Sequence, residues 1–201
     1  LTAAAANYGT PMLWAEGLSA DPPLKHDGEQ WIAPENGWQG ELVFTEEDLT
    51  SRYEDLAPQG QVDLVVIGCP QASLEEIRIT ASAVRSHIEM GSKIPDQRLW
   101  VFTSGENYQL ASADGSIELL EQAGAVLLQD TCPEVTPYNR AHYNHLLTNS
   151  LKAEHYLTSG LNRLPTSVMP IIDCVAHAFD PSLSEGPRPV LSAKAQPQHE
   201  S

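Results

Sequence analysis

The sequence predicts an α/β fold, three layers deep (α/β/α), around a mainly parallel sheet. Three observations carry this reading. Apolar runs at Val62 to Ile67, in "RLWVFTS" and in "AVLLQDT" are separated by stretches of helical periodicity, and strands that alternate with helices build a parallel sheet with helices packed against it. The runs are nearly continuous rather than alternating, as befits strands covered on both faces. A helix-start signal follows the first run at once, with Ser73 and Glu76 at capping-box spacing.

Taken in order, residues 1–40 carry much Gly, Pro, Ala and Asn; "SADPPLKHDGEQ" and "APENGWQG" read as loops, and Trp14, Trp31 and Trp38 suggest a segment that packs on something. "GELVFTEEDLTSRYEDL" reads as a short strand, Glu41 to Phe44, followed by a helix that Thr45 caps and that runs to Leu56, with Asp48 as the capping-box partner. The next helix runs from Ser73 to about Met90. "ENYQLASADGSIELLEQAG" is helical with a break at Asp114-Gly115 and a stop at Gly124. From residue 138 a loop leads to a helix from Ser150 to about Thr158. The end of the chain, "RPVLSAKAQPQHES", is poor in apolar residues and reads as a disordered tail. The expected organisation is a loop-rich segment 1–40, an α/β domain 41–181 and a tail 182–201.

The 201 residues suit one domain with a real core. With 27 acidic against 11 basic residues and a net charge of −16, the chain is a poor partner for nucleic acid or an anionic membrane. It has no apolar run of transmembrane length. It begins without Met and without a signal-peptide core, and reads as a piece of something longer. Three widely spaced cysteines do not form a secreted disulfide framework, which points to a reducing cytoplasm.

Cys69 and Cys132 hold equivalent places, each at the carboxyl end of a predicted strand and each followed by Pro. Ligand crevices of open parallel sheets lie at that rim, and proline keeps the preceding residue out of a helix. The two thiols therefore read as a metal or cluster pair, as buried core residues, or, for Cys69, as a nucleophile beside a helix start. In "LLTNSLKAEHY", a helix opening at Thr148, Asn149 and Ser150 with Lys152 close behind would face one anion, a carboxylate or phosphate; an ordinary N-cap is the plainer alternative. Asp130 is a base or a strand-end cap. His142, His145 and His155 lack the spacing of a zinc motif and read as surface or loop residues.

Together, "DLVVIGCPQASLEEI", "LLEQAGAVLLQDTCPEVTP" and "LLTNSLKAEHYLTSGL" resemble the signature blocks of aconitase X, the divergent branch of the aconitase superfamily. The resemblance covers about residues 41–180. It implies a hydro-lyase that removes water from a small hydroxylated carboxylic acid, such as cis-3-hydroxy-L-proline or mevalonate 5-phosphate, with an iron-sulfur cluster, [4Fe-4S] or [2Fe-2S], as Lewis acid. It implies Cys69 and Cys132 as cluster ligands, with Cys174 in "PIIDCVAHAF" as a candidate third, although its helical apolar spacing also suits the core. Ser150 is the implied base, assisted by Lys152, with Lys152 itself as the alternative base. Gln71, Ser73, Thr148 and Asn149 are the implied substrate contacts. Gln71 stands where the family usually has His, and an amide cannot transfer a proton as His does. The family's large region is considerably longer than this chain, so the expected partners are a small swivelling subunit or an amino-terminal region. Two other readings are an inactive binding or scaffold domain derived from the family and a cysteine-dependent α/β enzyme.

Overall fold

The computed structural model describes residues 43–183, the backbone of an antiparallel strand pair, β1 (Lys25–Asp27) and β2 (Gln30–Ile32), and Gly9. The strand pair falls in a stretch read as loop, around the turn signal Asp27-Gly28. The side chains of Trp14, Trp31 and Trp38 and the predicted tail beyond Leu183 lie outside the described residues. The expected strand at 41–44 does not form over its described part: Val43 and Phe44 belong to no strand and pair with none of the described residues, and both are exposed.

Helix α1 (Glu46–Leu56) starts as expected. The Thr45 hydroxyl accepts from the Asp48 amide at 3.1 Å, and the Asp48 carboxylate accepts from the Thr45 amide at 2.8 Å. The remaining elements are β3 (Leu64–Ala72), α2 (Leu74–Glu89), β4 (Leu99–Thr103), α3 (Gly105–Ala113), α4 (Ser116–Gln122), β5 (Val126–Gln129), β6 (Leu146–Thr148), α5 (Leu151–Ser159), β7 (Thr166–Val168) and α6 (Ile171–Phe179). The break between α3 and α4 falls at Gly115, whose φ of 82° suits a residue without Cβ. Strands β6 and β7 are missing from the sequence reading, since three residues show no periodicity of their own.

The five strands β3 to β7 form a wholly parallel sheet in the order β5-β4-β3-β6-β7. Alternate β3 side chains enter different cores. Val65 and Ile67 join Ile77, Val84, Leu120, Val175 and others beneath α2, α4 and α6. Leu64 and Val66 join Phe102, Ala153, Leu157 and Leu164 beneath α5, with Trp100, Tyr138 and Tyr143 meeting at ring separations of 5.7 to 6.3 Å. The fold is the expected three-layer α/β/α. No helix of the described residues is long and apolar enough to cross a membrane.

Strand β3 outruns its prediction, continuing through Cys69 and Pro70 to Ala72 with a register shift between Ile67 and Ala72. Gly68 makes this path feasible. Its φ is 107°, and a Cβ there would stand 2.0 Å from the Phe102 carbonyl oxygen. Gly68→Ala should therefore cost more than about 4 kcal/mol, measurable as loss of the urea-unfolding transition; a near-native midpoint would contradict this packing.

At the opposite end of the sheet, His177 on α6 is fully buried and neither ring nitrogen has a partner. Burial, then the positive charges of Arg98 and His145, push its pKa below the ordinary 6.5, with Asp180 opposing. The folded chain resists a proton that the unfolded chain accepts. The stability that neutral His177 confers is complete above about pH 6.5 and drains away as pH falls. The urea midpoint of the parent chain should fall between pH 7.5 and 5, and His177→Leu should reduce that slope; equal slopes would exclude His177 as the source.

Candidate functional site

Two cavities open at the carboxyl edge of the sheet and share Cys69, Pro70, Gln71 and Lys152 as wall. The first, about 390 Å³, lies under α1 and also takes in Arg52, Glu76, Asn149 and Ser150. The second, about 590 Å³, adds Asp130, Thr131, Cys132, Glu134 and Tyr156. The carboxyl ends of β3, β5 and β6 converge here because the sheet is parallel, so the two cysteines do share one mouth.

Their environments differ from each other, and Cys69 takes the buried position that was one of the sequence alternatives. Cys69 does not stand outward on a turn; it lies within β3, 7% exposed, against the core of the α5 face. Burial pushes its thiol pKa up, against the pull of Lys152, and the neighbouring Cys132 and Glu134 push the same way. Burial of this kind works against thiolate formation and so against an activated nucleophile. Cys132 is half-buried in the loop after β5. Gln71 reaches across the mouth, its amide donating to the Thr131 carbonyl at 3.2 Å, and so ties the β3 edge to the Cys132 loop. Cys174 is fully buried in the core beneath α2, its thiol donating to the Met169 carbonyl, and it lines neither cavity. Burial and Asp173 raise its pKa steeply. This is the core position that its helical spacing suits.

The polar residues divide into those engaged elsewhere and those left over. Ser73 caps α2: its hydroxyl accepts from the Glu76 amide at 3.2 Å and donates to the Glu76 carboxylate at 3.0 Å, and it lines neither cavity. Asp130 accepts from the Gly105 amide at 2.9 Å with one carboxylate oxygen, a cap on the start of α3. Ser150 caps α5, accepting from the Ala153 amide at 3.2 Å while donating to the Cys69 carbonyl. Both ends of that hydroxyl are occupied. Thr148 is buried in β6 with Oγ1 unpartnered, and the buried Oδ1 of Asn149 is likewise unpartnered although its amide donates to Glu76 at 3.3 Å. Lys152, in the first turn of α5, fronts both cavities.

The sequence reading missed Glu134 and Arg52. Glu134 accepts from the Leu161 amide at 2.6 Å with one oxygen and leaves the other buried and unpartnered beside Cys69 and Cys132. Nothing in a lone Glu after "TCP" marks this. Arg52 carries a signal that could have been used: Leu49, Arg52, Tyr53 and Leu56 recur at helical spacing on one face of α1, and all four line the first cavity.

The donor set at the mouth bears on an iron-sulfur group. Two thiols in one cavity are the right chemistry for iron, and metal binding deprotonates thiols that burial otherwise keeps protonated. Among the described residues no third His, Cys, Asp or Glu completes a metal-binding group. The pair thus fits in kind as part of a ligand set.

Comparison with known proteins bears on the family and the fold. The profile described as aconitase X third domain matches residues 62–180. The large subunit of phosphomevalonate dehydratase from Methanothermobacter thermautotrophicus is 34% identical over 118 residues, 59% of this chain and 27% of that protein. The same subunit from Methanocaldococcus jannaschii is 30% identical over 158 residues, 78% of this chain and 36% of that one. The chain therefore spans only 27% to 36% of the length of these curated relatives. The crystal structure of Thermococcus kodakaraensis aconitase X in its holo form superposes with a TM-score of 0.55 at 26% identity, over 74% of this chain and 37% of that one.

The capping geometry makes a prediction. Ser150→Ala should cost about 1 kcal/mol of stability, read from chemical unfolding, and Ser150→Thr should recover most of it. A neutral alanine substitution would leave the hydroxyl without a structural role.

Proposed function

The chain belongs to the aconitase X family, and on that premise we propose that it forms part of the active site of a hydro-lyase acting on a small hydroxylated carboxylic acid. The observation that carries this reading is the shared mouth: Cys69, Cys132 and Lys152 around one cavity at the carboxyl edge of a parallel sheet. Phosphomevalonate dehydratase is the activity named for its relatives. Cys69 and Cys132 are assigned as two ligands of an iron-sulfur cluster, with further ligands from outside the described residues. When bound, the cluster supplies Lewis acidity toward an oxygen of the substrate.

The roles of this chain's own residues follow from their hydrogen bonds. Lys152 and the amino end of α5 hold the anionic carboxylate. Asn149 presents its free carbonyl oxygen to a substrate hydroxyl, which satisfies a buried acceptor that otherwise lacks a donor. Ser150, with both ends of its hydroxyl engaged, positions α5; acting as a base would require it to release the Cys69 carbonyl. That disfavours Ser150 as the base and leaves Lys152, as an ammonium, able to donate a proton but not to accept one. Gln71 holds the two cysteine-bearing segments together. The remaining walls would come from an amino-terminal region or a small partner subunit, and free cysteines suit a cytoplasmic setting.

Anaerobic reconstitution with iron and sulfide tests the ligand assignment. Cys69→Ser and Cys132→Ser should each abolish the visible iron-sulfur absorption, whereas Cys174→Ser should lower the unfolding midpoint and leave iron content unchanged. Full colour in either of the first two variants would refute their role.

A further inference from the structure

Resting on the hydro-lyase reading, we infer that Arg52 is a specificity-determining residue: with Lys152 it makes the α1 cavity a site for a substrate anionic at both ends. The chain has 11 basic residues against 27 acidic ones, so two cations on the wall of one cavity are conspicuous. They reach it from unconnected elements, Arg52 from α1 and Lys152 from the first turn of α5. The one carboxylate on that wall, Glu76, is engaged through both oxygens, by the Ser73 amide and hydroxyl and by the Asn149 amide. Among the described residues it forms no ion pair with either cation.

Arg52 is free to act. Among the described residues its one ion pair, with Asp55, stands at the 4.0 Å limit, and its side chain is 53% exposed; such surface pairs contribute little. The position is nonetheless set, because the Thr45–Asp48 capping box fixes where α1 begins and Leu49, Tyr53 and Leu56 seat the same helix face on the cavity. A guanidinium pairs two-pronged with phosphate or carboxylate, which an ammonium does not. A cavity of about 390 Å³ has the size of a small-molecule site. A hydroxy acid with a carboxylate at Lys152 and a terminal phosphate at Arg52 satisfies both cations; a zwitterionic amino acid would bring an ammonium group into a wall that already holds two.

Calorimetric titration of the whole chain with mevalonate 5-phosphate and with mevalonate, which lacks the terminal anion, tests this. The parent chain should prefer the phosphate by at least about tenfold. Arg52→Gln should remove that preference by weakening the phosphate alone, Arg52→Lys should restore part of it, and Lys152→Ala should weaken both ligands. Circular dichroism should be unchanged for the exposed Arg52 variants. A preference that survives in Arg52→Gln, or a parent chain that binds both ligands equally, overturns the role of Arg52 and leaves the hydro-lyase reading standing. A parent chain that binds neither ligand overturns both.

Discussion

The site depends on a single close approach, that of the Gly68 backbone to the carbonyl of Phe102. Because residue 68 has no Cβ and adopts a positive φ, β3 can bend over the end of β4 instead of stopping at Ile67. The Ala72 carbonyl, at the far side of the bend, accepts from the Thr103 hydroxyl at 2.8 Å and the Asn107 amide at 3.2 Å, which pins the strand again. Between the two anchors Cys69, Pro70 and Gln71 hang over the sheet edge. Ser150 then reaches the Cys69 carbonyl and Gln71 reaches Thr131, so α5 and the Cys132 loop are both referenced to the bend. Any side chain at 68 would disturb every wall of the mouth at once.

What remains for chemistry is decided by subtraction. Hydroxyl and carboxylate groups crowd this end of the sheet, but Ser73, Glu76, Asp130 and Ser150 satisfy the exposed amides of three helix starts or their neighbours. The groups not consumed in this way are the two thiols, Lys152, Arg52, one oxygen of Glu134, the Thr148 hydroxyl and the carbonyl of Asn149. A residue's presence at the rim is thus weak evidence of a role until its hydrogen bonds are counted.

Much of this was legible from the residues. The apolar runs gave away β3, β4 and β5, and the capping boxes at Thr45 and Ser73 marked two helix starts to the residue. Cys69 and Cys132 were brought to one rim by topology alone, since parallel strands put their carboxyl ends together, whereas Lys152 was marked only by the helix start it follows. The reading failed where information is not local. Val43 and Phe44 have strand propensity and no neighbour among the described residues to pair with. Leu146–Thr148 and Thr166–Val168 become strands only because β3 supplies the edge on which they assemble. Whether Cys69 faced solvent could not be read either, because the Gly68 bend that turns it inward is a property of the β3–β4 contact.

The strand order has a temporal side. Strands β3, β4 and β5 with their connecting helices follow one another along the chain, so that half of the sheet can form from nearby segments. Strand β6 reaches β3 only after the whole of that unit has been laid down, with Leu64 meeting Leu146 across a long loop, and β7 adds to β6. Distant pairings close late in folding, and short edge elements are the first to open. Cys69, Gln71 and Cys132 belong to the early half, whereas Asn149, Ser150 and Lys152 arrive with the late one. The two halves of the mouth are therefore joined at the β3–β6 seam, a pairing between segments far apart in the chain, and a chain with that seam open would hold the thiols without the lysine.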